Sequence, residues 1–148
     1  MKNNMRILGI DYGEARVGVA ITDALNIIVQ GLETIQRNGS DRIILKRLDE
    51  ILEKYEVETI VVGMPLNMNG TISERAKVTQ EFVHKLKCKY NKLNIETIDE
   101  RLTTVEAHKT MNFLDINKNK KKNIVDTISA VYILETYLNK TKNSLNNN

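Results

Sequence analysis

The sequence predicts an α/β protein in which one mixed, five-stranded sheet is flanked by helices. Three apolar segments joined by short links come first, and helical and strand-like segments then alternate. Short links favour an antiparallel meander, whereas strands entered from helices favour parallel pairing. The predicted strands span residues 5–11, 17–22, 27–35, 59–63 and 94–98.

Apolar spacing and capping patterns predict the helices. Apolar residues over 44–55 recur at the spacing of one helix face. Two Thr-x-x-Glu capping boxes, at Thr71 and Thr103, predict the starts of two further helices, the second ending near residue 113. The apolar segment 124–138 predicts a last helix.

Length and composition limit the class of protein. The 148 residues suit a single domain, predicted over 1–138, and the Asn- and Lys-rich segment 139–148 predicts a disordered tail. Cys88 is the only cysteine, which excludes an internal disulfide and a zinc-thiolate cluster. Without an apolar segment long enough for a signal peptide or membrane span, we expect a cytoplasmic protein. A net charge of +3 permits nucleic-acid binding without arguing for it.

Carboxylates follow two of the predicted strands. Asp11 comes directly after Ile7-Leu8-Gly9-Ile10, and Asp99 and Glu100 follow the strand 94–98. Ligand sites in α/β sheets favour such strand ends, and a divalent cation such as Mg²⁺ relieves the repulsion between crowded carboxylates. Successive side chains alternate in direction along a strand, so only one of the pair should enter a site, and we favour Glu100.

A third acid, Asp126, lies in the first turn of the last helix. Ser129 and Ala130 share its face, and their small side chains would allow the helix to approach the sheet closely. Plainer interpretations exist for each acid. A strand-end Asp is often a turn residue, and Asp126 could simply cap its helix.

Glycine-rich and lysine-rich segments each allow two interpretations. The turn at Gly13 could cradle phosphate, or form a hairpin in which glycine supplies positive φ. It is neither a Walker A loop nor a dinucleotide fingerprint. The loop 63–70 leads to a helix N-terminus, which attracts phosphate, but a simple connector fits equally well. The lysine run 118–122 could contact a phosphate backbone or form a solvated loop.

Four motifs occur together along the chain. They are Gly9-Ile10-Asp11-Tyr12-Gly13 with residues 16–20, Gly63-Met64-Pro65-Leu66 with residues 69–71, Asp99-Glu100-Arg101-Leu102-Thr103-Thr104, and Val125-Asp126 with the apolar residues up to 138. In this combination the chain resembles the YqgF family, also called RuvX or Holliday-junction-resolvase-like proteins. The resemblance covers about residues 5–138.

The resemblance implies an RNase H-like fold and a nuclease that matures the 5′ end of pre-16S rRNA in ribosome biogenesis. It implies catalytic, metal-binding carboxylates at Asp11, Glu100 and Asp126, with Mg²⁺ as cofactor and Mn²⁺ as an alternative. Substrate-contact candidates are Arg16, Arg101, Lys121 and Lys122. One departure from the family pattern is Thr127 and Ser129, where members usually carry small apolar residues.

Other functions remain open at this point. Holliday junction resolution in DNA recombination and repair is one, and a non-catalytic RNA-binding ribosome-assembly factor is another. An ATP-dependent phosphotransferase of the actin-like kind would need two such domains. The expected partner is nucleic acid, either structured RNA or branched DNA, with no membrane. The protein is expected to be a monomer or a homodimer.

Overall fold

The computed structural model describes residues 5–102 and 118–146, with side chains described for 5–101 and 127–142. Five strands form one sheet in the order β3-β2-β1-β4-β5. The strands are β1 (Arg6–Tyr12), β2 (Arg16–Thr22), β3 (Val29–Gln36), β4 (Val57–Met64) and β5 (Asn94–Asp99).

Strand directions confirm the predicted mixed sheet. β1 pairs antiparallel with β2, and β2 with β3, so the first three strands form the predicted meander. β1 pairs parallel with β4, and β4 with β5. Consequently β1, β4 and β5 all finish at the same side of the molecule, here called the carboxyl end of the sheet.

Helices cover both faces of the sheet. α1 (Asp41–Lys54) and α2 (Glu74–Lys89) pack on one face, where Ile10, Val62 and Phe82 belong to the larger core cluster. α3 (Lys118–Asn146) covers the other face, where Val61, Ile98 and Ile133 belong to a smaller cluster. We call these the α1/α2 face and the α3 face.

Two helix boundaries differ from the sequence prediction. α2 begins after Ser73, whose hydroxyl accepts from the Ala76 backbone N–H at 3.0 Å, whereas Thr71 bonds to Asn69 within the preceding loop. α3 is longer than the predicted 124–138 at both ends, so the lysine run lies in its first turns rather than in a loop. Most of residues 139–148 also fall inside α3. The helix predicted from Thr103 lies outside the described residues.

Three glycines allow α3 to approach the sheet closely. A Cβ on Gly9 would lie 2.5 Å from Leu134 Cγ and 3.0 Å from the Ala130 carbonyl oxygen. A Cβ on Gly63 would lie 2.5 Å from Ile133 Cδ1, and one on Gly31 would overlap Thr127 Cγ2. Because real side-chain atoms cannot come so near, these glycines fix the distance between helix and sheet.

Candidate active site at the carboxyl end of the sheet

Asp11 lies half-buried near the end of β1, on the α3 face. Its register partner on β2 is Gly18. On the other side, β1 and β4 are last paired at Ile10 and Val62, so the next residue of β4, Gly63, runs beside Asp11. Both flanking strands therefore carry glycine next to Asp11.

Glu100 approaches Gly63 from the end of β5. It opens a short 3₁₀ turn (Glu100–Leu102) directly after the strand. Its carboxyl carbon lies 3.5 Å from the position that a Gly63 Cβ would occupy. Since Gly63 also contacts Ile133 of α3, Glu100 lies on the same face as Asp11. The structure thus brings these two predicted carboxylates to one place.

The carboxylate of Asp99 forms an ion pair with Arg101. It accepts hydrogen bonds from Arg101 Nε at 2.9 and 3.0 Å and from Arg101 Nη2 at 2.5 Å. These bonds hold the pKa of Asp99 below its usual value. Of these two acids, Glu100 lies near Gly63, and its choice over Asp99 as the site residue stays a prediction.

Arg101 joins the end of β5 to the loop that follows β4. Besides the bonds to Asp99, its Nη1 donates to the Met68 carbonyl oxygen at 2.9 Å. The sequence predicts that Arg101 contacts the substrate. In the structure, Arg101 makes these intramolecular contacts with Asp99 and Met68. A direct contact with substrate stays a prediction.

Asp126, Lys121 and Lys122 all lie in α3, but their side chains are outside the described set. The neighbouring Thr127 places this part of the helix, because its hydroxyl lies 3.0 Å from that of Thr34. Thr34 pairs with Gly18, and Gly18 pairs with Asp11. The backbone of α3 near Asp126 therefore lies beside the cross-strand row formed by Thr34, Gly18 and Asp11.

Arg16 stands at the same end of the sheet. It opens β2, and its carbonyl oxygen accepts from the Gly13 N–H at 3.0 Å. Two residues before Gly18, it belongs to the α3 face, as Asp11 does. Gly13 does not have positive φ, contrary to the hairpin interpretation. Glycine is needed there because a Cβ would overlap the Arg16 carbonyl.

The sequence does not predict a partly buried polar network that lies behind Asp11 on the α1/α2 face. The Tyr12 ring stacks on Phe82 at 4.1 Å, and its hydroxyl donates to Asp41. Asp41 also accepts from Arg37 at 3.1 Å and from Lys85 at 2.9 Å. Strand alternation could have placed Tyr12 opposite to Asp11, but nothing in the sequence indicates its distant partner.

The network shifts the acidities of both its central groups. Burial raises the pKa of Tyr12, and the hydrogen bond to Asp41 raises it further. Burial alone would raise the pKa of Asp41, but hydrogen bonds from Tyr12, Lys85 and Arg37 outweigh it and lower the pKa. Asp41 is therefore a charged structural anchor on the α1/α2 face.

Two cavities formed by described residues lie away from Asp11 and Glu100. One of about 360 Å³ is on the α1/α2 face and is lined by residues including Tyr12, Glu14, Arg37 and Arg75. One of about 700 Å³ is at the amino end of β4 and β5, where Val57 and Leu93 lie. Neither of these two cavities is lined by Asp11 or Glu100.

A metal ion near Asp11 would need several ligand side chains around it. Among the residues whose side chains are described, no three acids, histidines or cysteines are close enough to hold one. Asp126, the third predicted ligand, is outside that set. Asp11 and Glu100 supply carboxylate oxygens, the donors that Mg²⁺ prefers.

A sequence profile described as "RuvX: Holliday junction resolvase" matches residues 5–140. The chain belongs to the RuvX family. This confirms the resemblance that the four motifs indicated.

Curated relatives from the same family match over nearly their whole length. A protein of Ruminiclostridium cellulolyticum is 52% identical over 136 residues, which are 92% of this chain and 95% of that one. A protein of Acetivibrio thermocellus is 48% identical over 90% of this chain and 95% of its own. Both carry the name "Putative pre-16S rRNA nuclease".

A solved structure confirms the RNase H-like fold. T. thermophilus RuvC, in a complex with a Holliday junction substrate, superposes with a TM-score of 0.55 at 12% identity. The match covers 92% of this RuvX-family chain and 96% of RuvC. Separately, none of the helices within the described residues is both long and apolar enough to cross a membrane.

Proposed function

We propose that this RuvX-family protein is a metal-dependent nuclease that hydrolyses phosphodiester bonds in the 5′-end processing of pre-16S rRNA. The observation that supports the proposal is that Asp11 lies beside Gly63 in the sheet while the carboxyl carbon of Glu100 lies 3.5 Å from the position of a Gly63 Cβ, on the same face. The names of the curated relatives supply the substrate class. In this proposal the protein acts in the cytoplasm, as a monomer or a homodimer.

We assign metal binding to Asp11 and Glu100, with Asp126 as the third ligand. Asp11 and Glu100 supply two carboxylates on one face of the sheet, and Mg²⁺ commonly takes one or two carboxylates together with phosphate oxygens. A bound Mg²⁺ or Mn²⁺ would stabilise negative charge at the phosphorus and favour ionisation of the attacking water.

The remaining residues bind and position the substrate in this proposal. Arg16 lies on the face of Asp11 and contacts a phosphate of the bound strand. Lys121 and Lys122 extend this contact from the first turns of α3. The ion pair of Asp99 with Arg101 fixes the turn that carries Glu100, so its carboxylate need not reorganise when substrate binds.

The test compares Asp11→Asn, Glu100→Gln and the control Glu96→Gln. Glu96 lies on β5 and on the same face as Glu100, since it accepts a hydrogen bond from Tyr137 of α3 at 2.6 Å. Each protein is incubated with an rRNA precursor carrying an extended 5′ leader, with Mg²⁺ or with EDTA. We expect the site variants to lose at least 100-fold in cleavage rate, on the order of one lost charge-stabilising group.

Two outcomes would contradict the proposal. Cleavage by Asp11→Asn at the wild-type rate would show a contaminating nuclease or a different site. Tight RNA binding without cleavage by any variant at any metal concentration would favour a non-catalytic assembly factor. Glu96→Gln should cleave as the wild type does.

Holliday junction cleavage is a second candidate, favoured by the description of the family whose profile matches residues 5–140. A four-way DNA junction in the same assay separates the two. Faster Mg²⁺-dependent cleavage of the junction than of the rRNA precursor, lost in Asp11→Asn, would support the resolvase.

A further inference from the structure

Met68 is an apolar side chain held out in solvent at the carboxyl end of the sheet. It is 86% exposed, more than any other large apolar side chain in the described part of the chain. It lies in the loop between β4 and α2, together with Ile72, which is 50% exposed. Single exposed apolar side chains are common on protein surfaces, so it is the place of Met68, in the loop that follows β4 at this end of the sheet, that makes it informative.

The loop around Met68 is fixed by hydrogen bonds. The Gly70 N–H donates to the Asn67 carbonyl at 2.8 Å, and the Asn67 N–H donates to the Thr71 carbonyl at 2.9 Å. The Asn67 side chain also donates to the Thr71 hydroxyl at 2.9 Å. Gly70 takes a φ of +88°, which closes the turn. Met68 therefore projects from a rigid turn tip.

The same loop is connected directly to the candidate site. Arg101 donates to the Met68 carbonyl at 2.9 Å while pairing with Asp99. Glu100 lies between Asp99 and Arg101 in sequence, with its carboxyl carbon near Gly63, one residue before the end of β4. The position of Met68 relative to Glu100 is thus set by one arginine side chain.

We propose that Met68 is a wedge that packs against a base next to the cleaved bond and separates it from its neighbour in the stack. This inference rests on the proposed nuclease function. Apolar side chains, including Met, are inserted between base steps by proteins that distort nucleic acids, and a flexible thioether fits bases of any sequence. Distortion would present the backbone to Asp11 and Glu100 without reading the sequence.

The first measurement follows the base directly. A 2-aminopurine base is placed next to the cleaved bond of the rRNA precursor, because its fluorescence rises when it unstacks. Binding is measured in the Asp11→Asn background, which keeps the substrate intact. We expect fluorescence to rise with Met68 present, to rise with Met68→Leu, and to stay low with Met68→Ala.

The second measurement uses cleavage by proteins with an intact Asp11. Met68→Ala should cleave a fully paired substrate roughly fivefold to tenfold more slowly, the range expected for one lost base contact. It should cleave at the wild-type rate when that base is already unpaired. A purely structural role for Met68 would not produce this rescue. The control Leu25→Ala removes a side chain that is 66% exposed at the opposite end of the sheet and should change neither rate.

The outcomes separate the wedge from the nuclease. If wild-type protein cleaves and Met68→Ala matches it on paired and unpaired substrates with an unchanged fluorescence rise, the wedge is excluded while the nuclease stands. If the wild type cleaves no substrate, both fail. Equal unfolding temperatures for Met68→Ala and the wild type are expected, since the side chain lies in solvent.

Discussion

At the residue scale, neighbouring positions on one strand serve different tasks. Asp11 points to the α3 face and the candidate site, whereas Tyr12 points to the opposite face and its hydroxyl donates to Asp41. Asp99 and Glu100 divide in the same manner between an ion pair and the site. The period-two alternation of an extended chain explains the first division, whereas the second occurs where β5 ends at Asp99 and the 3₁₀ turn begins at Glu100.

The Asp41 network makes stability depend on pH. The pKa of Asp41 is lower in the folded protein than its ordinary value of 3.8, so the unfolded chain binds the proton more readily. The stabilisation is therefore complete above the unfolded pKa and is lost as pH falls through the folded pKa. We expect Asp41→Asn to cost about 1–3 kcal/mol of unfolding free energy at neutral pH.

Chemical denaturation from pH 7 down to pH 2 measures this effect. The difference between wild type and Asp41→Asn should shrink between about pH 5 and pH 2. Asp49→Asn is the matched control, because Asp49 on the same helix pairs with Lys89 at a more exposed position. It should cost less at every pH. A constant difference for Asp41→Asn across the range would contradict the assignment.

The sequence predicts individual acidic residues better than it predicts the side chains that surround them in the fold. Asp11 and Glu100 were found because each follows a short apolar strand, a local pattern. Tyr12 and Asp41 are 29 residues apart and meet only through the packing of α1 and α2 on the sheet. The Thr71 capping box was wrong for a related reason, since Ser73 also bonds the distant Pro65 carbonyl at 2.7 Å.

At the scale of elements, α3 crosses the sheet from β3 to β5. Thr127 contacts β3, Leu134 lies against Gly9 of β1, and Tyr137 donates to Glu96 of β5. Glycines in three strands permit this close crossing. The helix that carries Asp126 is therefore held against the sheet by close packing on backbone glycines as well as by its apolar side chains.

Gly31→Ala tests this close contact. Alanine on an exposed strand residue ordinarily stabilises by about 0.5–1 kcal/mol relative to glycine. Here the added Cβ would overlap Thr127 Cγ2, so we expect a loss of about 1–3 kcal/mol. Thr127→Ser removes that methyl group while keeping the hydroxyl that meets Thr34.

Equilibrium unfolding of the single variants and of Gly31→Ala combined with Thr127→Ser gives a double-mutant cycle. The double variant should recover part of the stability lost by Gly31→Ala. Independent, additive losses would mean that the two residues do not press against each other.

Element boundaries were predicted within a few residues wherever apolar periodicity defines them. β5 was predicted as 94–98 and ends at Asp99, and β4 was predicted as 59–63 and spans Val57–Met64. The ends of α3 were missed because lysines and asparagines there carry no apolar period. Helical hydrogen bonding can continue through polar residues that a hydrophobic pattern does not detect.

At the scale of the whole molecule, a net charge of +3 gives only weak general attraction to nucleic acid. Binding should therefore depend on where the cations lie. Arg16 stands at the carboxyl end of the sheet, while Lys92 lies in the turn before β5, at the amino end. The proposed function predicts that only the first contacts a phosphate.

We expect Arg16→Ala to weaken binding to all nucleic-acid substrates alike and to reduce the slope of log affinity against log salt by about 1. Lys92→Ala changes the net charge equally and should leave the slope unchanged. Binding titrations at several salt concentrations measure both. Equal slopes for the two variants would mean that only overall charge matters and that the strand does not pass Arg16.

The pairing of Asp11 with Gly18 has a consequence for how the gene can change. A substitution in β1 alters one side chain. Inserting or deleting a single codon before Asp11 instead moves every later side chain of the strand to the opposite face of the sheet. Such a frame-preserving change would turn Asp11 towards Phe82 and carry Tyr12 to the α3 face. Natural variation in the first strand should therefore consist of substitutions that keep its length constant.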